Sequence, residues 1–248
     1  SALNRFCETL KVGLHSEGGL SLMDWAFTCH KLFKPNQALQ ERMLQKHEVL
    51  HRRGLYVSSL SVLFALACGY NDAGLLKEIY HTAWMMDAGL LKDDFSHWTA
   101  LACQLEKSRP GHGIEFLKVK QASVAEKEAF LAHPRAGFEE AKLVLEKSMR
   151  YPSLLNAILH HHELQNGQGF PDHLPGTILS DWESLIILAD QLVDYRESML
   201  QKYGSHGLRE IWVEFRRLPV RNLPVERVRR KVSQWSVKHN LGTGEASA

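Results

Sequence analysis

Three consecutive histidines and a glutamate, His160 to Glu163, stand directly before the turn-forming residues Asn166-Gly167 and Gly169-Phe170-Pro171 in the segment HHHELQNGQGFPDHLPG, 160–176. Imidazole is the commonest metal-binding side chain and the only one with an unperturbed pKa near neutrality. Adjacent His161 and His162 point ~100° apart on an ideal helix, so both reach one ion only near a helix end. The Gly167 turn supplies that end; a solvated helix terminus is the plainer alternative. His133 opens HPRAGFEEAKLVL, directly before Pro134. The proline biases it away from helix and suits the first turn of a helix that follows, a setting in which histidines are mostly surface residues. Two acids stand against apolar runs: Asp87 after HTAWMM, and Asp190 within SLIILADQLVDY. A buried unpaired carboxylate is so costly that a fold must give it a partner; the alternative is an exposed helix edge. Asp194, four residues on, shares roughly one helix face with Asp190.

The elements that must position these groups read as helices. Glycine and proline cluster between long stretches of helical periodicity, and alternating strand patterns are scarce. The spacing predicts helices at roughly 21–33, 37–68, 73–90, 121–131, 134–148, 152–163, 179–202 and 223–238, with Asn71-Asp72 as a cap and Gly69, Gly89 and Gly204 near helix ends. Residues 104–120 read as a loop with a short extended segment, and 241–248 as a disordered tail. The fold class is all-α: a helical domain over 41–240 preceded by an N-terminal helical extension over 1–40. The chain of 248 residues is long enough to bury a sizeable core. Its 44% hydrophobic and 23% charged residues are ordinary for a globular protein. A net charge of +2 and a pI near 8.3 give no global electrostatic case for nucleic acid. Four scattered cysteines without a CxxC pair point to a reducing compartment. No apolar run approaches a membrane span, and no secretory signal opens the chain, which makes a cytoplasmic location the expectation. The chain does not begin with Met, so a region upstream of Ser1 is also expected.

In the order Asp87, HPRAG, HHE…NGQGFP and ILAD, the sequence resembles the HD-GYP family of bacterial metal-dependent phosphohydrolases. Its pattern runs an HD pair, HPxxG, HHExxDGxGYP, then an Asp late in an apolar helix. The likeness extends from about residue 50 to 200, and the HHE…GxGFP segment is its most specific part. The resemblance implies an all-α HD-superfamily domain and two or three metal ions, often iron or manganese. In active members it implies hydrolysis of cyclic di-GMP: histidines and bridging carboxylates hold adjacent ions that activate a water and neutralise charge on the phosphodiester.

The chain departs from that pattern where the chemistry lies. The HD pair is Met86-Asp87, and a thioether is a poor ligand for a hard divalent ion. The family's lysine falls on Leu90. The early ligand histidine aligns with Arg53 in RGLYVSSLS, whose usual arginine becomes Tyr56; His51, two residues upstream, could restore a ligand only at the expense of the apolar match that follows. Phe170 replaces the signature tyrosine, and Asn166 replaces the acid after Glu163. Carried over by the resemblance, the first ion's set would be Arg53, Met86, Asp87 and Asp190, which is broken. The second ion's set, Asp87, His133, His161 and His162, is complete. At most one well-formed site for iron or manganese is therefore expected, with Arg53 pairing with Asp190 in place of the missing ion. A wholly unmetallated site stays open.

Two functions follow. The first is a degenerate, regulatory domain of cyclic di-GMP signalling with weak or no hydrolysis. The second is an active phosphodiesterase on cyclic di-GMP or another phosphate ester, for which Asp87 would bridge metals in catalysis. The partners implied are cyclic di-GMP or a signalling protein. A histidine-rich helical protein unrelated to this chemistry is the alternative to both. The basic stretch 216–239 is read as an amphipathic helix packing Val225, Val228, Val232, Trp235 and Val237. The Trp and Met of HTAWMM and LMDWAF are read as core or interdomain packing.

Overall fold

A computed structural model describes residues 21–46, 48–91, 123–203, 208–218, 220 and 222–239. The predicted loop at 104–120, the tail at 241–248, Gly204, Cys7 and Cys103 lie outside them. The order is α1 (Leu22–Phe33), α2 (Gln37–Lys46), α3 (Glu48–Ala67), α4 (Ala73–Trp84), a 3-10 turn (Ala88–Leu91) and α5 (Val124–Leu145). A second 3-10 turn (Pro152–Leu155) then leads into the short α6 (Asn156–His160), followed by α7 (Asp181–Tyr203), α8 (Leu208–Arg217) and α9 (Glu226–Lys238). The protein is all-α. No strand lies among the described residues, and Asn166 and Pro175 form an isolated β-bridge. No described helix is long and apolar enough to cross a membrane.

Helix α3 occupies the middle. Its buried Ser58, Ser59 and Ser61 return their hydroxyls to the carbonyls of Gly54, Leu55 and Val57. The hydroxyls are thereby satisfied inside the helix, as an otherwise apolar interior requires. Trp25 of α1 donates its indole N–H to the Ser59 carbonyl at 2.8 Å. Trp25, Trp84, Met85 and Met86 all lie in one hydrophobic cluster that runs from Leu22 to Val232. Local signals set the boundaries. Ser21 and Asp24 form a capping box on α1, and Asp72 caps α4 through the Leu75 amide.

Several boundaries differ from the sequence reading. Helix α4 stops at Trp84, and Asp87 sits in the turn between α4 and the 3-10 segment. The two helices expected at 121–131 and 134–148 are one, with Pro134 inside it. Helix α8 was not anticipated; Ile211, Trp212 and Phe215 bury its apolar face. Val225, just before α9, and Val228 and Val232 within it are buried as expected, but Val237 is 62% exposed.

Gly69 has the left-handed backbone expected after a helix (φ +92°). Gly89 serves a different purpose. A Cβ there would run into the His133 carbonyl oxygen and lie 2.8 Å from the Gly137 amide nitrogen. The bare glycine lets the 3-10 turn lie flush on α5, and this contact carries Asp87 to His133. Gly89→Ala is therefore expected to destabilise the fold by ~1–3 kcal/mol, the usual range for overpacking, and to weaken metal binding. Urea denaturation and metal titration of the variant check this. Wild-type metal affinity would mean that some other contact positions Asp87.

Candidate metal centre

His133, His161 and His162 come together from two separated segments, with one ligand atom from each lying within 4.8 Å of the others. All three are buried, at 1%, 0% and 6% exposure. Their orientation follows from interruptions in the helices. Pro134 has no N–H, so the Phe130 carbonyl four residues earlier loses its helical donor. His133 Nδ1 fills the gap, 2.6 Å from the Phe130 oxygen. Helix α6 ends at His160, which leaves the Ile158 carbonyl among its unpaired terminal oxygens. His161 Nδ1 lies 2.6 Å from that oxygen. His133 is thus inside a helix rather than at its start, contrary to the sequence reading, and the proline that misled that reading is what aims the ring.

A carbonyl oxygen can only accept, so both Nδ1 atoms must carry the proton. Each ring then presents a bare Nε2 lone pair, and the two Nε2 atoms face each other at 3.1 Å. Burial pulls His133 down to about 3, with His161 pushing the same way. Burial also lowers His161, with Asp87 offsetting part of the effect. A proton shared between the rings is therefore disfavoured, and two lone pairs at this distance call for a cation. Two nitrogens bound at ~2.1 Å to one tetrahedral ion stand about 3.4 Å apart. An imidazole whose other nitrogen donates to a backbone carbonyl is the usual arrangement of a histidine ligand.

Asp87 joins this group from the 3-10 turn. Its Oδ1 lies 3.8 Å from His133 Nε2 and 3.7 Å from His161 Nε2. Its Oδ2 accepts the Arg53 Nε–H at 3.0 Å. The two terminal nitrogens of the same guanidinium donate to Asp190 and Asp194 on α7. The expected Arg53–Asp190 pair is present, enlarged to one guanidinium among three carboxylates. Asp194 was visible in the sequence only as a neighbour of Asp190 on one helix face. Asp190, expected among the metal ligands, faces Arg53 and Gln191. Burial raises the Asp87 carboxyl, but Arg53 and the two imidazoles outweigh it and hold the group below the ordinary carboxylate value. Asp190 is pushed up to about 6: burial raises it, Arg53 offsets part, and the charge of Asp87 adds to the rise. One guanidinium against three carboxylates leaves two negative charges uncompensated. One divalent ion among neutral imidazoles would balance them.

Of the remaining candidates, Glu163 and Phe170 border the site and the others lie away from it. Glu163 is fully buried and accepts the amides of Asp172 and Leu174 at 2.7 and 3.0 Å, holding the loop that follows Phe170. Gly169 packs so tightly on this segment that a Cβ would collide with the Glu163 Cα and the His162 carbonyl. Phe170 stacks on the His162 ring at 4.5 Å, and Phe130, which the sequence reading passed over, tilts against both His133 and His162. Asn166 is exposed and closes a turn with Gln168. Met86 is buried in the core. His51 sets its ring edge-on to Trp84 at 5.3 Å, outside the histidine triad. His160, the first of the three consecutive histidines, turns away to Glu183 and Asp172. Burial works against its protonation, yet the two carboxylates raise its pKa.

The donor set of three imidazoles and a carboxylate suits a first-row transition ion rather than magnesium or calcium, which prefer oxygen shells. The residues present therefore fit one such ion. Compared with known proteins, the chain matches no family model and no curated protein.

Proposed function

We propose that this chain is a degenerate HD-GYP-like domain of bacterial cyclic di-GMP signalling. It holds one divalent ion, iron or manganese, at His133, His161, His162 and Asp87, and it acts as a regulatory module with weak or no hydrolysis. The observation that carries the reading is the pair of lone-pair-bearing Nε2 atoms at 3.1 Å, oriented by backbone carbonyls and bordered by Asp87. Three features favour regulation over turnover. Arg53 stands beside the triad on the shared acid Asp87, so the clamp of two ions on the attacking and leaving oxygens of a phosphodiester is missing. The triad is almost wholly buried, whereas a hydrolytic ion needs an open position for water and substrate. Phe170, in place of tyrosine, offers a stacking face and no hydroxyl. A cytoplasmic location goes with this reading, and cyclic di-GMP or a signalling protein is the partner it implies.

A bound ion would supply charge and, in an active enzyme, a water of lowered pKa. The second reading, an active phosphodiesterase, draws on the completeness of that one ligand set. The test is incubation of untagged protein with cyclic di-GMP under added Mn²⁺ or, anaerobically, Fe²⁺. No multiple turnover is expected, with binding of the nucleotide or of a partner as the remaining function. Repeated turnover that vanishes in His161→Ala would install the second reading.

A further inference from the structure

We propose that Arg53 determines how many ions this centre takes: its guanidinium is a side-chain cation seated in a second cation position, and it keeps a metal ion out. For the ion at the histidine triad this rests on the function proposed above; the position filled by Arg53 is argued on its own geometry. An ordinary ion pair matches one guanidinium with one carboxylate. Here each of the three nitrogens of Arg53 is met by a different acid: Asp87 from the turn after α4, and Asp190 and Asp194 one turn apart on α7. The side chain of Arg53 is 15% exposed, while those of Asp190 and Asp194 are 1% and 2% exposed. Three converging carboxylates, two from one helix and one from a glycine-packed turn, form a site for more positive charge than one guanidinium carries.

Asp87 links the two positions. One oxygen serves Arg53 and the other points to the imidazoles, so the carboxylate spans adjacent cation positions as a bridging ligand would. The three acids at Arg53 offer carboxylate oxygens, unlike the imidazoles of the triad. Without the guanidinium it suits a hard cation, such as calcium, magnesium or manganese, held by carboxylates and water. Arg53 therefore converts a two-cation centre into a one-ion centre with a permanent, non-exchangeable second charge.

The experiment is equilibrium dialysis of wild type, Arg53→Ala and Arg53→His against Mn²⁺ and, separately, Ca²⁺, alongside thermal unfolding in each cation and in chelator. Wild type is expected to bind one Mn²⁺. Each variant is expected to bind two Mn²⁺, and one Ca²⁺ more than wild type, with a midpoint that Ca²⁺ raises in the variants alone. A variant that is unfolded in chelator but folds on adding millimolar Ca²⁺ or Mn²⁺ also supports the proposal. Folded variants that take up no more of either cation than wild type overturn it, as do two variants that stay unfolded in both. Absence of Mn²⁺ from wild type would fail the triad reading, while the Ca²⁺ count in the variants would still decide the role of Arg53.

Discussion

Replacing Arg53 by alanine is expected to lower the stability of the metal-free protein by ~3–5 kcal/mol, the range for breaking a buried ion pair from one side. The size follows from what is left behind. Asp190 and Asp194 are almost completely buried and Asp87 nearly so, and all three would lose their common cation. Solvent can relieve little of this, because the guanidinium itself is mostly covered. Arg53→Lys should fall between wild type and alanine: an ammonium keeps the charge but cannot direct planar donors at three acids. Denaturant unfolding in chelator measures both. A loss below about 0.5 kcal/mol for the alanine variant, the size of an ordinary surface change, would show that the cluster is not a buried charge centre.

His161→Ala is expected to reduce metal affinity at least about 100-fold. Structural zinc sites gain ~10–16 kcal/mol from about four ligands, so one ligand is worth roughly 3 kcal/mol, about two decades in Kd. His161 is the most exacting choice because its Nε2 faces both His133 and Asp87 and its exposure is zero. His160→Ala is the matched control. It removes an imidazole from the same run, but one committed to Glu183, and it should leave the metal affinity within a few-fold of wild type. Isothermal titration with Mn²⁺, with circular dichroism as a check on folding, separates the two. Equal effects of the two substitutions would mean that the histidine run acts as a loose, solvated cluster.

Much of this was legible in the chain. The helical periodicity, the Asp72 cap and the burial of Trp25 and Trp84 all follow from local pattern, because each depends on neighbours within a turn or two. The convergence of His133 with His161 and His162 came from motif order, and Arg53 was singled out because it stood where a ligand was expected. What escaped the sequence depends on contacts between distant segments. Nothing in the residues around Gly89 reveals that α5 lies against it. The two-helix reading across Pro134 rested on a sound local rule, overridden because His133 satisfies the carbonyl that the proline releases. The third acid of the Arg53 clamp, Asp194, is separable from a solvent-facing residue only once α3 and α7 are seen side by side. Helix α8 carries a clear apolar face in Ile211, Trp212 and Phe215, a signal that was available and overlooked.

The centre itself is tested most directly by metal analysis and X-ray absorption on protein purified without a histidine tag and loaded with Mn²⁺ or Fe²⁺. One ion per chain is expected, with a nitrogen-dominated shell at ~2.0–2.2 Å that is lost in His161→Ala. Zero ions after loading, or a shell made only of oxygen, would contradict a cation held between the facing Nε2 atoms of His133 and His161.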